Sequence, residues 1–440
     1  MADEWKDLAI ADAIEIISGG TPKTSTQEYW GGSIPWLSVA DFNKGYRWVN
    51  TAEKSITERG LKESATEILN IGDIIISARG TVGVVAQLAK PMAFNQSCYG
   101  IRGKRGVADT NFVYYTLRHA VTQMQQVAHG GVFNTITRDT FKIIKTRLPS
   151  LNEQKAIAHI LGTLDDKIEL NRQMNKTLEE MARTIFKSWF VDFDPVHAKA
   201  AVRREHPAWS NALVSRAALP NLKPEIAELF PDRLVDSELD KIPEGWRDST
   251  VGQNFRLTMG QSPPGSTYNE NEEGIPFYQG RSDFGYRFPS QRVFCTAPTR
   301  FAEAGDTLVS VRAPVGDVNM TNEKCAVGRG VAAIRHSNGY KSFTYYSMKH
   351  LKNYFDKFEA EGTVFGSINK SDFENLPFTA PPSDVLELFE RLVSPIDNRI
   401  KNNEGESNTL AALRDALLPK LISGELRIKD AERFLKERGL

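Results

Sequence analysis

The stretch "GDIIISARGTVGVV", Gly72–Val85, returns later in the chain as "GDTLVSVRAPVGDV", Gly305–Val318. Aligned without a gap at a displacement of 233, residues 72–103 and 305–336 share ten of 32 positions, and these are not scattered apolar matches. They include Gly72/Gly305, Asp73/Asp306, Ser77/Ser310, Arg79/Arg312, Gly83/Gly316 and Ile101-Arg102/Ile334-Arg335. Glycine, aspartate and serine at fixed offsets around a β-branched run are the marks of a strand ending in a tight turn.

The repetition extends outward from this stretch. Upstream, "EWKD" at Glu4 and "GGTP" at Gly19 correspond to "GWRD" at Gly245 and "GQSP" at Gly260, and Ile34-Pro35 corresponds to Ile275-Pro276. Downstream, "FVYYTLRH" at Phe112 becomes "FTYYSMKH" at Phe343, and "GGVFNTI" at Gly130 becomes "GTVFGSI" at Gly362. Finally "LDDKIELN" at Leu164 maps onto "IDNRIKNN" at Ile396. A period this long is a duplicated domain rather than a solenoid, whose repeats are far shorter.

Each copy begins with a mixed α and β part and ends in a helical part. The helical parts carry an alternating four–three apolar spacing. In the first copy it runs Ile157, Leu161, Leu164, Ile168, Asn171, Asn175, Leu178, Ala182, Ile185, Trp189. In the second it runs Phe389, Val393, Ile396, Ile400, Asn403, Ser407, Leu410, then Leu417 and Leu421. An asparagine in such a seam costs stability and fixes register, as expected where two long helices pack on each other. Helices of about 40 residues would be about 60 Å long. Two prolines interrupt the second seam. Pro395 either kinks the helix or stands at the first position of a fresh helix capped by Ser394; Pro419 puts the last turn in question.

The expected fold is therefore α+β: two repeated mixed α/β domains at 1–150 and 243–380, two paired coiled-coil-like helices at 151–194 and 381–424, and a pseudo-two-fold plan. A proline-rich linker with short helical pieces fills 195–242, and an amphipathic tail closes the chain at 425–440.

Bulk properties narrow the function. Of 440 residues, 55 are Lys or Arg and 55 are Asp or Glu, so the formal charge is zero. Residues 71–150 nevertheless hold ten basic against three acidic side chains. That stretch is either an ordinary solvated surface or one basic face for phosphates. The acidic N-terminal sequence does not resemble a secretory peptide, no apolar run is long enough to span a bilayer, and Cys98, Cys295 and Cys325 lack any paired spacing. A cytoplasmic protein with free, buried thiols is expected.

Catalytic motifs fail one after another. There is no GxxxxGK[ST] phosphate loop. An adenine methyltransferase tetrad is approached by Asn375-Leu376-Pro377-Phe378, which lacks a proline and has no counterpart in the first copy. Pro231-Asp232 is not followed by the acid–x–Lys cluster of a metal-dependent nuclease. Histidines and cysteines show no metal-ligand spacing. Tyr114 and Tyr115, on an apolar helix, read as core rather than as base-stacking groups.

Two globular domains alternating with two heptad helices resemble the specificity subunit of type I restriction-modification enzymes. Local strings carry the resemblance: "GGTP" with "IPW" after it, the two "GD" stretches, "FKSWFVDFDP" from Phe186, and "LLPKLISGEL" from Leu417. It covers Trp5 to Leu426. The resemblance implies a non-catalytic subunit that reads a split double-stranded DNA target, one half per domain, and docks two methyltransferase subunits on its helices. Restriction subunits would join them, with S-adenosylmethionine, ATP and Mg all on the partners and none on this chain. The rival readings are a fused methyltransferase, disfavoured by the missing cofactor loop, and a coiled-coil adaptor without DNA contact, disfavoured by the basic stretch.

For DNA contact the candidates are Lys23, Arg79 and Arg312 in or beside repeated turns, Asn95 and Gln96 in the first copy, and Gln279 and Arg281 in the second. Side chains that differ between the copies suit base edges, whereas identical ones suit the shared fold or a phosphate.

Overall fold

The computed structural model describes residues 5–43, 45–127, 135–238, 240–360 and 366–439. It separates into two compact units, residues 1–171 with 405–440 and residues 172–404. The division falls inside both long helices, so each unit holds one globular part and a portion of each helix. Of the repeated "GGVFNTI" and "GTVFGSI", residues 130–134 and 362–365 lie outside the described residues.

In the first unit the central sheet is ordered Ile14–Ser18, Cys98–Gly103, Ile74–Ser77, Val85–Leu88, Trp48–Val49. Its counterpart in the second unit is ordered Phe255–Met259, Val331–His336, Thr307–Val311, Val315–Met320. Registers agree as well: Cys98 opposes Ser77 and Ile101 opposes Ile74, as Val331 opposes Ser310 and Ile334 opposes Thr307.

The strand inside each quoted stretch carries consecutive apolar side chains because it is covered on both faces. Ile74 and Ile76 enter a core that includes Phe112, Tyr115 and Leu161, while Ile75 enters a second with Phe42, Leu69 and Phe94. Val309 and Leu308 divide in the same way. Gly72 and Gly305 have φ of +82° and +90°, a backbone region that suits only glycine. The repeated aspartates are structural. Asp73 is held by Arg102 (Nε to Oδ1, 2.8 Å), and Asp306 by Arg335 (2.6 and 2.8 Å). Ser310 Oγ donates to Pro314 O at 2.7 Å and accepts from Asp317 N at 2.9 Å; Ser77 makes the matching pair with Thr81 and Val84.

The two long helices are Leu151–Phe190 and Ser383–Ser423. In the first unit Ile157 and Leu161 are buried and Leu164 and Ile168 half-buried. Asp165 meets Arg414 and Asn171 meets Glu406 (2.8 Å) and Ser407 (3.4 Å), so the helices run antiparallel there. In the second unit Asn403 donates to Asn175 at 2.8 Å and Trp189 packs on Phe389 at 6.2 Å, again antiparallel. Ala182, Val393 and Ile400 are buried, with Leu178, Ile185 and Ile396 half-buried. Asn171 and Asn403, equivalent by sequence, thus face equivalent positions, Ser407 and Asn175. Toward the end of the seam Leu421 is buried, while Leu410 and Leu417 are half-covered and Leu418 is buried instead.

Pro395 neither splits nor ends its helix, which is continuous through it and through Pro419. The ring is exposed, so the hydrogen bond it removes lies on the solvent side where water can replace it, and buried Val393 and half-buried Ile396 hold the helix on either side. The repeated aromatic helix is single in the first copy, Thr110–Val127, and divides at Leu351 in the second, into Lys341–His350 and Lys352–Ala360. Tyr114 and Tyr115 are core residues, 2% and 0% exposed. The linker forms Asp194–Glu205, Asn211–Ala218 and Pro224–Ala227 and a small hairpin. The tail is not free. Arg427 grips buried Glu153 with two 2.7 Å contacts, Trp5 Nε1 donates to the same carboxylate at 3.3 Å, and Ala431 and Leu435 pack on Ala156. All three cysteines are buried free thiols, and burial pushes Cys98 and Cys325 up to about 12.

In the second unit, burial pushes the Glu390 carboxyl up to about 7, against the help of the Phe343 N–H it accepts at 2.8 Å. A raised carboxyl favours the protonated form in the folded state, so its contribution is complete below the ordinary value of 4.5 and is lost as pH rises through 7. Replacing Glu390 by Gln keeps the acceptor and removes the titration. The variant's unfolding midpoint should therefore gain on the parent's between pH 5 and pH 8, histidine effects cancelling in the difference. A constant difference across that range would contradict the assignment.

Candidate nucleic-acid interface

Three turns converge in the second unit. The first follows strand Ile275–Tyr278, where buried Asp283 accepts from the backbone N–H groups of Gln279 (2.7 Å) and Gly280 (3.2 Å). This fixes the loop and leaves the side chains of Gln279 and Arg281 exposed. The second carries Arg312, directly after strand Thr307–Val311, with the Ser310 hydroxyl closing the turn beyond it. The third is Gly328–Gly330: Gly328 N donates to Tyr278 O at 2.8 Å, and Val311 N donates to Gly330 O at 2.9 Å. Gly330 lies so close to the first turn that a Cβ there would stand 2.4 Å from Gln279 O.

Together the turns wall a cleft of about 560 Å³ lined by Gln279, Arg281, Ser282, Arg312, Pro314 and Arg329. Arg281 is tied to Asp317 at 2.6 Å. Among the described residues Arg312 and Arg329 form no ion pair and are exposed. A cleft with three guanidinium groups and an amide offers planar, bidentate donors to an anionic or base-edge partner. The sequence reading singles out Gln279, Arg281 and Arg312, and the fold brings them together; it passes over Arg329.

In the first unit the corresponding turns hold Arg79, Asn95, Gln96 and Lys23. Asn95 N donates to Leu37 O at 3.0 Å and Ala78 N to Ser97 O at 2.7 Å, which joins the strand end, the Arg79 turn and the Gln96 turn. Lys23, Arg79 and Gln96 are exposed, and Gln96 touches the Thr21 hydroxyl. Asn95 differs from expectation in part. It is half-buried, and its side-chain oxygen accepts from Ser97 N at 3.1 Å, an Asx turn that shapes the loop.

Both turns rest on a glycine of the "GGTP" and "GQSP" segments. A Cβ at Gly19 would lie 2.1 Å from Asn95 O, and one at Gly260 would lie 2.2 Å from Gly328 O.

Sequence reading also misses Arg47 and Arg287, in "GYRW" and "GYRF". Arg287 is fully buried; it contacts Glu179, donates to Asp397 at 2.8 Å and to Tyr346 Oη at 2.8 Å, and lies 3.9 Å above the Tyr345 ring. Burial raises Glu179, but the Arg287 and Lys349 charges outweigh it and leave the carboxyl below its ordinary value. Burial holds Asp397 above its ordinary value despite Arg287. Arg47 donates to Gln87 (2.7 Å) and Asn111 (3.1 Å) and occupies the space a Cβ of Gly162 would need. These arginines fasten each globular part to its helices. The signal available in the sequence was the repeated Gly-Tyr-Arg.

Among the described residues no three His, Cys, Asp or Glu side chains are grouped to hold a metal ion, and no helix is long and apolar enough to cross a membrane.

Duplicated mixed sheets, each with exposed donors on its turns and each packed on long antiparallel helices, define a two-part recognition protein. Residues 2–180 and 243–412 both match the type I restriction modification DNA specificity domain, and the chain belongs to that family, whose members are the non-catalytic specificity subunits of type I restriction-modification systems. It is 29% identical to the type I restriction enzyme MjaIX specificity subunit of Methanocaldococcus jannaschii, over 97% of this chain and 94% of that one. It is 28% identical to the HindI specificity subunit of Haemophilus influenzae, over 68% and 72% of the two chains. The fold is similar to the crystal structure of the type I restriction-modification S subunit from M. genitalium, with a TM-score of 0.55, 16% identity and 96% of each chain covered.

The glycine contacts are testable. Gly260→Ala forces a Cβ against backbone carbonyls and should destabilise the second unit by about 1–3 kcal/mol. Gly280→Ala, at a neighbouring position with nothing within 4 Å of the added atom, should leave the melting temperature almost unchanged. Equal effects would show that the close approach is not a constraint.

Proposed function

We propose that this chain reads a bipartite DNA target, each unit presenting its turns to one half-site, and that methyltransferase subunits dock on the two long helices. The observation that carries the reading is the duplicated turn cluster. Its backbone contacts are the same in both units, while the exposed side chains at its tip differ. A protein that needs one scaffold and two specificities would diverge in this pattern. The three arginines of the second cleft and Lys23 and Arg79 of the first provide phosphate or base contacts whose strength falls with salt.

The helices favour partner docking because they leave large apolar side chains in water. Leu170 and Leu413 in the first unit are 51% and 47% exposed, and Met181 and Leu392 in the second are 51% and 39% exposed. Such side chains suit a partner's surface. On this reading the domains are those expected from the repeat, with 1–150 and 243–380 as target-recognition domains and the helices setting the gap between half-sites. The methyltransferase partners bring S-adenosylmethionine and flip the target adenines. Restriction subunits with ATP and Mg complete a nuclease, and the assembly works in the cytoplasm.

Exchanging residues 1–150 for the matching domain of a relative tests the reading. Methylation-aware sequencing of cells expressing the hybrid with its methyltransferase partner should show one half of the target changed and the other intact. A change in both halves, or in neither, would contradict independent reading.

A further inference from the structure

We infer that Gln96 and Arg329 are equivalent specificity-determining residues, and that they make the two half-sites differ at one matching base pair, A·T under Gln96 and G·C under Arg329. The inference rests on the DNA-reading function proposed above and names the residues that divide its two specificities.

Their equivalence is structural as well as numerical. The displacement of 233 that aligns the quoted stretch carries Gln96 onto Arg329 and Ser97 onto Gly330. Ala78 N donates to Ser97 O at 2.7 Å in one unit, and Val311 N donates to Gly330 O at 2.9 Å in the other. Each residue also meets the same neighbouring turn. Gln96 touches the hydroxyl of Thr21, in "GGTP", and Arg329 N donates to the hydroxyl of Ser262, in "GQSP", at 3.3 Å. The glycines of those turns approach the two loops equally closely, with a Cβ 2.1 Å from Asn95 O and 2.2 Å from Gly328 O. The two side chains therefore stand on loops with the same backbone contacts.

What they project differs in chemistry. An Asn or Gln amide pairs bidentately with adenine through N6 and N7, and an Arg guanidinium with guanine through O6 and N7. Both side chains are exposed; the Gln96 amide oxygen accepts from the Thr21 hydroxyl, an exposed contact that a base would replace. Arg79 and Arg312, which stand beside them on the adjoining turn, are identical in the two units and cannot distinguish the half-sites. They suit the phosphates that set register. Arg281 is engaged by Asp317, so it is less free to turn toward a base. Position 96/329 is therefore where a shared scaffold holds alternative base-edge donors.

The test uses the full chain in complex with its methyltransferase subunits and a library of duplexes randomised across the target. Three proteins are compared: the parent, Gln96→Arg and Arg329→Gln. The parent's enriched sequence should contain an A·T pair that becomes G·C with Gln96→Arg, within one half-site and with the other unchanged. Arg329→Gln should produce the converse change in the other half. Discrimination at the altered position should shift by about 5- to 150-fold, the range for one bidentate contact. An unchanged motif, or uniform weakening across all sequences, would overturn the assignment while leaving DNA reading intact. A parent that selects no sequence at all would overturn the underlying function and the assignment with it. Both substitutions lie on exposed loops, and a thermal melt of each complex separates lost recognition from lost folding.

Discussion

Two aspartates, buried Asp165 and half-buried Asp397, hold the architecture together. Asp165 and Asp397 occupy the same place in the two helices by sequence, and each accepts a hydrogen bond from the matching tyrosine of its globular part: Tyr115 at 2.7 Å and Tyr346 at 3.4 Å. A carboxylate cannot remain charged in a core without a cation. The two units supply that cation from different elements. Asp165 is met by Arg414, from the opposing helix, with Arg118 at 3.8 Å. Asp397 is met by Arg287, from the globular part, which also neutralises Glu179 on the other helix. In both cases one buried charge ties a sheet-bearing domain and two helices into a single core.

Much of the rest follows from this fastening. A recognition surface is useful only if its turns have a fixed attitude to the helices that carry it, and a buried, directional ion pair is a geometric constraint as well as an energetic one. The strands behind the turns are covered on both faces, so the turn tips are the parts of each sheet left to vary. Glycines at positions 19 and 260 lock these tips to the next turn. The side chains of Gln96 and Arg329 stand exposed on these tips, Gln96 beside the Thr21 hydroxyl.

The fold was legible because duplication doubles every signal. The Asp73–Arg102 and Asp306–Arg335 pairs appear in the sequence as a shared Gly-Asp and a shared Ile-Arg, and the paired helices appear as a seam with matched asparagines. What was hidden depends on contacts between distant segments. Antiparallel pairing sets Asn171 against Ser407 and Asn403 against Asn175, equivalent positions of the repeat, a register that a seam alone does not specify. Arg287 looked like any arginine in a polar loop, and its burial is decided by Glu179 and Asp397, more than 100 positions away along the chain. The helix continues through Pro395 because the flanking seam residues are held, a tertiary effect that outweighs local propensity. Asn95, a candidate for base contact, also shapes its own turn, which its residue type alone does not reveal.

The claim that each unit is anchored by its own buried ion pair is tested most directly by hydrogen exchange on Arg414→Met. Removing this cation leaves Asp165 buried without its main partner, a change that costs about 3–5 kcal/mol in comparable pairs. Amide protection should fall in the helix segments around Phe112–His119 and Ile157–Ile168, and remain at the parent level around Phe343–His350 and Val393–Ile400. Equal loss in both sets of segments, or no loss in either, would contradict the account.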